Sequence, residues 1–265
     1  MVTVLVPTHD NGATLRVSVA SALAQTHDAL EVMIVGDGIS EAGREAAAEL
    51  AASDRRVSFL DFEKGERHGE ANRGRALQEA RGEHVLYLSD DDIWFPRHVE
   101  EVTALLEQGA GFVGATVAAV DPGEGLRPLP HDLARGAWRR LMADGQNRMP
   151  LTGAAHTMAA YRASPGWRPA PPEIATDLHF YRWFLRSPEV AVASSRPVSA
   201  LHFASRARRD MSRAERLAEL EEWWGRVSDP AGLELVEREI AAAWQELAIR
   251  LDFHRRRRRL DEEAG

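Results

Sequence analysis

The chain has no cysteine and a single lysine, Lys64, in 265 residues. Without thiols it can form no disulfide, offers no thiolate to a metal or a nucleophilic step, and leaves its redox compartment undetermined. Any metal must then rest on oxygen or imidazole. No apolar stretch is long enough for a membrane span, and the first apolar run begins at Val2 without a basic leader, so a cytoplasmic location is expected. The formal charge of −8 argues against nucleic acid as a partner over the whole surface. What remains, with 44% hydrophobic and 28% charged residues, is a chain able to bury one substantial core.

The first third alternates apolar runs with helical patterns. Strands are expected at Val2–Val6, Leu30–Val35, Val57–Phe62 and His84–Leu88, with helices at Ala13–Ala24, Glu41–Ala52 and Glu70–Ala80 between them. That order predicts an α/β fold with a mainly parallel sheet flanked by helices and ligands at the carboxyl ends of its strands. Those ends carry Pro7-Thr8-His9-Asp10-Asn11, Gly36-Asp37-Gly38 and Ser89-Asp90-Asp91-Asp92. Further on, the pattern gives a helix at Arg97–Gln108, a strand at Phe112–Val120 and a Pro/Gly-rich loop from Asp121 to Pro130, long enough for a lid or an acceptor-side wall. A helix around Leu133–Ala143 and a strand around Ala154–Tyr161 follow. Beyond them come a helix at Ala175–Leu185, short strands at Val190–Ala193 and Val198–Phe203, and helices from Ser212, broken near Asp229-Pro230. The expected division is a domain over 1–205, with a nucleotide-binding half at 1–110 and an acceptor-side half at 111–205, and a C-terminal helical extension over 206–265.

Asp90, Asp91 and Asp92 stand directly behind an apolar run, and three adjacent carboxylates call for an oxygen-seeking cation such as Mg²⁺ or Mn²⁺. The same triplet also suits an acidic turn before the helix near Pro96. Asp37 lies where glycine lets the chain turn, so its carboxylate is a candidate acceptor for a base or ribose over the sheet edge, or a simple turn aspartate. Arg73 is placed to meet a diphosphate with its bidentate fork, unless it is a solvated helix residue.

Val2-Thr3-Val4-Leu5-Val6-Pro7-Thr8-His9-Asp10-Asn11, then Ser21–Thr26, Glu31–Gly38 and Ala80–Leu88 with the acidic triplet, Trp94 and Pro96, together resemble the start of a family 2 glycosyltransferase of the GT-A (Rossmann-like) fold. The resemblance covers roughly the first hundred residues. It implies a nucleotide-sugar donor, a divalent metal and inversion at the anomeric carbon. It assigns Thr8 and Asp37 to the base and ribose, Arg73 to the base or diphosphate, Asp91 to the metal, Asp90 to the ribose and Asp92 to a supporting place. Ser89 stands where the family has the first aspartate of its DXD motif.

Inverting transfer needs a carboxylate to take the acceptor proton. The family supplies it from an acidic pair at a helix start in the second half, where this chain reads Thr176-Asp177, so Asp177 is the candidate base. His202 is a candidate for the metal or diphosphate site, and Arg206, Arg208 and Arg209 for a phosphate clamp. His156 is expected near a sugar. Trp94, Trp138, Trp167 and Trp183 suit sugar stacking or core packing. The run Arg255 to Arg259, with Trp244, Leu247, Leu251 and Phe253, permits an amphipathic helix on an anionic membrane, a solvated helix end or an oligomer contact. The expected reaction moves a sugar from a UDP- or dTDP-sugar to an unknown acceptor. Two other readings stand beside it. One is a non-catalytic sugar-nucleotide-binding protein, suggested by Ser89 and Thr176. The other is a nucleotidyltransferase, disfavoured because Pro7–Gly12 has only one glycine.

Overall fold

The computed structural model describes residues 1–10, 12–145 and 147–263, with side chains described as far as 253. Strands β1 (Val2–Thr8), β2 (Leu30–Asp37), β3 (Val57–Phe62) and β4 (His84–Tyr87) alternate with helices α1 (Gly12–Leu23), α2 (Glu41–Ser53) and α3 (Glu70–Glu79). Then come β5 (Ile93–Trp94), α4 (His98–Glu107), β6 (Phe112–Asp121), β7 (Gly125–Leu129), α5 (Gly136–Ala143), β8 (Ala154–Thr157) and α6 (Met158–Ala163). The chain ends with α7 (Thr176–Arg186), β9 (Val192–His202), α8 (Arg213–Ser228) and α9 (Pro230–Glu263).

The strands form one sheet in the order β3-β2-β1-β4-β8-β6-β9-β5, with β7 paired to β6. β3, β2, β1 and β4 are parallel, as the near-continuous apolar runs of strands covered on both faces require. Alternation sorts their side chains. Val2, Val4, Val6, Leu86 and Leu88 join the apolar cluster on one face, while Leu5, Val85 and Tyr87 join that on the other. β8 then runs antiparallel to both β4 and β6, and β9 is parallel to β6.

Three second-half expectations change. The segment 121–130 is no open loop, because Gly125–Leu129 pairs antiparallel with β6 as a hairpin, and Arg127 Nε donates to Asp121 at 2.5 Å across its base. The strand expected at 154–161 stops at Thr157, whose hydroxyl accepts from Ala160 N at 3.1 Å and so caps α6. The two short strands near 190–203 are one, β9, with its register shifted around Thr116. The two-residue β5 was not foreseen. α8 begins with a capping box between Ser212 and Glu215, and α9 begins at Pro230, where the missing N–H costs nothing. Leu220, Val227, Val236 and Ile240 of these helices share one apolar cluster with Ile93, Ala118 and Leu201 of the sheet.

Candidate functional site

The carboxyl ends of β1, β2 and β4 open onto one cleft of about 280 Å³. Thr8, Asp37, Arg73 and Asp90, named from sequence as donor-binding residues, all line it, beside Lys64 and His68. Parallel neighbours bring their ends level, which is why residues more than eighty positions apart meet.

Asp37 is held firmly. Its Oδ2 accepts from Lys64 Nζ at 2.5 Å, and its Oδ1 from Gly65 N at 2.7 Å and Asn72 Nδ2 at 2.8 Å. Burial raises its carboxyl, but these donors outweigh burial and leave it below the usual range. A Cβ at Gly69, where φ is 72°, would sit 2.4 Å from the Asp37 carboxyl carbon, so this turn needs glycine on two counts. His9 Nδ1–H donates to the Asp37 carbonyl at 2.8 Å. Lys64, the one lysine of the chain, is thus an anchor for Asp37, a role its sequence context does not signal.

Arg73 lies between the cleft and the second half of the chain. Its guanidinium is 4.7 Å from the Trp167 ring centroid, and NH1 is 3.7 Å from Asp177 Oδ1. NH2 donates to the His68 carbonyl, whereas Nε and NH1 are buried without a hydrogen-bond acceptor. Such donors beside a cleft suit an incoming anion. Asp177 opens α7, with a quarter of its side chain exposed. Burial pushes its carboxyl above 3.8, against the pull of Arg73, His68 and His202.

Sequence reasoning passed over Glu70. It is fully buried at the start of α3, and its Oε1 accepts from Thr176 Oγ1 of α7 at 3.0 Å while Oε2 accepts from His68 N at 3.1 Å. Thr176 stands where the resemblance expects an acid, so a carboxylate does reach the start of α7, but from the donor-side helix. Only the unexpected threonine hinted at such a partner.

The acidic triplet divides its labour. Asp92, completely buried, accepts from Phe203 N at 2.8 Å and from His202 Nδ1 at 3.1 Å, tying the end of β9 to the turn after β4. Because Nδ1–H donates to Asp92, Nε2 of His202 is left free of that bond. Asp91 accepts from Ser205 Oγ at 3.3 Å. Burial and then its neighbours Asp92 and Asp90 push the Asp91 carboxyl well up, which marks a place short of positive charge. Among the described residues no three His, Asp or Glu side chains are arranged to hold a metal by themselves.

His156 and Arg208 go elsewhere than expected, while Trp94 and Trp167 take the core-packing alternative. His156 is buried inside the aromatic cluster, far from any sugar-binding role. Its Nδ1–H donates to the Thr157 carbonyl at 3.0 Å and its Nε2 accepts from Tyr87 O–H at 2.8 Å, and burial lowers it to about 4. Trp94 is fully buried, stacked on His98 at 4.4 Å. Trp167 is buried against Phe180, its Nε1 donating to Tyr87 Oη at 2.9 Å. Trp138 and Trp183 border two separate surface grooves. Arg208 is no phosphate clamp: it is buried and forked onto Glu219 at 2.6 and 2.7 Å. Arg206 and Arg209 are exposed. The side chains of Arg255 to Arg259 lie outside those described. No helix among the described residues is long and apolar enough to cross a membrane.

Residues 3–167 match the model of Glycosyl transferase family 2. Over 116 residues the chain is 28% identical to the Escherichia coli UDP-Glc:alpha-D-GlcNAc-diphosphoundecaprenol beta-1,3-glucosyltransferase WfgD, covering 43% of this chain and 44% of that one. The chain spans less than half the length of the curated relatives it matches, from 13% to 44%. Among solved structures it is similar to S. aureus TarS 1-349 in complex with UDP-GlcNAc, with TM-score 0.61, 16% identity and coverage of 77% of this chain and 58% of that one. It is also similar to the mannosyltransferase PcManGT from Pyrobaculum calidifontis in complex with GDP-Man and Mn²⁺, with TM-score 0.56, 17% identity and coverage of 92% and 75%. These likenesses show the GT-A fold.

Proposed function

Because the chain belongs to glycosyl transferase family 2, we propose that it moves a sugar with inversion from a UDP- or dTDP-sugar to an acceptor hydroxyl, with Mg²⁺ or Mn²⁺ at the diphosphate. The observation that carries this reading is the meeting of Thr8, Asp37, Arg73 and Asp90 in one cleft, with Asp177 Oδ1 3.7 Å from Arg73 NH1. Thr8, Asp37 and Asp90 take the nucleoside. Arg73 offers Nε and NH1, which lack a hydrogen-bond acceptor, to the diphosphate. Asp91 and His202 hold the cation, whose chemistry is to neutralise charge on the leaving diphosphate.

Asp177 is the base. As the acceptor oxygen attacks the anomeric carbon, the bond from that carbon to the diphosphate oxygen breaks, and the Asp177 carboxylate takes the hydroxyl proton. The nucleoside diphosphate leaves with the electron pair. A carboxyl raised by burial is a stronger base than a solvated one. The domain over 1–205 would hold donor and base, with the helices from 206 packed on its edge.

Calorimetric titration with UDP, dTDP and GDP, with and without Mn²⁺, tests the donor claim. Tight metal-dependent binding of UDP or dTDP is expected, and no nucleotide binding would overturn it.

A further inference from the structure

Away from the cleft, a cavity of about 560 Å³ runs along the outward stripe of α7, a volume suited to a small molecule. His179, Arg182, Trp183 and Arg186 follow the i, i+3, i+4, i+7 spacing that gathers side chains on one helix face, and all four line it. Another wall is the turn around Pro165 and Gly166, with Arg168. No residue of this cavity lines the cleft at the strand ends, so the two are separate.

The charge here runs against that of the chain. In a protein of net charge −8, three arginines and a histidine line the cavity, and no Asp or Glu is among its described lining residues. Arg168 Nε donates to the Pro165 carbonyl at 3.0 Å, and Arg186 NH2 to the Ala143 carbonyl at 2.8 Å. Carbonyls satisfy these donors without cancelling their charge. Asp144 pairs with Arg186 at 3.7 Å, both side chains being exposed, a contact worth little. Arg182 Nε is shielded from water without an acceptor. Three guanidinium groups held in this way are in want of an anion. Trp183 adds a partly buried indole, a surface on which a planar ring can stack.

We propose that this cavity is a second ligand site, and that its ligand is a phosphate monoester carrying a planar ring, of the class of a nucleoside monophosphate. The inference goes beyond glycosyl transfer and uses none of the residues assigned to it. Phosphate oxygens accept hydrogen bonds and arginines only donate them, so Arg168, Arg182 and Arg186 match the phosphate. A neutral sugar also needs acceptors for its hydroxyls, and no carboxylate or amide side chain lines the cavity among the described residues. A bare phosphate would leave Trp183 unused, whereas a planar ring covers it.

The test uses the full chain saturated with UDP and Mg²⁺, so that the donor cleft is filled, and measures binding of AMP, inorganic phosphate and adenosine by calorimetry. AMP is expected to bind roughly tenfold more tightly than either of its parts, since it alone engages arginines and indole together. Arg182→Gln and Trp183→Leu are each expected to weaken AMP roughly fivefold without changing UDP affinity. Arg168→Gln, at an exposed position that leaves folding intact, should do the same and keeps the test decisive if Trp183→Leu fails to fold. Equal affinity for AMP and inorganic phosphate would reduce the cavity to an anion patch and overturn the inference. So would AMP affinity that falls as UDP is raised, which places AMP in the donor cleft, or indifference to Arg182→Gln and Arg168→Gln. If UDP itself fails to bind, the glycosyl-transfer reading is defeated, while the same AMP titrations without UDP still decide this cavity.

Discussion

In the parallel part of the sheet, β1, β2 and β4 run side by side and place Thr8, Asp37 and Asp90 at one open edge. In the mixed part, β8 runs back between β4 and β6, and its histidine turns into a cluster of Tyr87, Tyr161, Phe180 and Phe184. Both stretches offered polar residues beside apolar runs. Strand direction separates them: a parallel strand delivers its last residues to the common edge, whereas a reversed one delivers its middle to the core.

The sharpest way to break this contrast is at Asp177, which the mixed part contributes to the parallel edge. Asp177→Asn is expected to lower transfer roughly 100- to 10,000-fold while UDP still binds, and full activity in a folded variant would remove the base from the scheme. The buried histidines come next. His98 and His156 sit at about 3 and about 4, below the ordinary 6.5, because burial disfavours the charged ring. They stay neutral in the fold but gain protons on unfolding below pH 6.5. Stability should therefore fall as pH drops from 6.5 towards 4, by about 1.4 kcal/mol per pH unit for each ring. Urea midpoints that stay flat over that window would mean the rings are solvated.

Asp92→Ala leaves Phe203 N–H and His202 without their acceptor, and should cost about 1.5–3 kcal/mol in urea unfolding. A loss near zero would show that the β9 end is held by other contacts. His156→Phe removes the acceptor of one Tyr87 hydroxyl bond for about 1 kcal/mol, with the acceptor KM unchanged. A raised KM would return His156 to the site. The smallest effect is expected from Glu70→Gln. Its negative charge helps hold the Asp177 carboxyl up, so the acid limb of kcat/KM should move to lower pH. A limb that does not move would confine Glu70 to packing.

The legibility of the chain follows the same division. β1 to β4 with α1 to α3 could be read because each strand is an apolar run between amphipathic helices, and the donor-side residues sit at their ends. The run Ala154–Tyr161 could not, since small apolar residues suit strand and helix alike, and only the Thr157 cap fixes the break. The β6–β7 hairpin was hidden by Gly123, Gly125 and Pro128, which read as loop although the last two lie in a paired strand. Asp177 and His202 were singled out through resemblance alone. Glu70 was not, because its partner Thr176 lies 106 positions away and only the fold brings them together.

Arg73 NH1 lies 3.7 Å from Asp177 Oδ1 and also lines the cleft at the strand ends. In the proposed reaction an arriving diphosphate would share that guanidinium with the carboxylate and relax its downward pull on the Asp177 carboxyl. Filling one subsite and sharpening the proton acceptor of the other would then be a single event, coupled through one side chain.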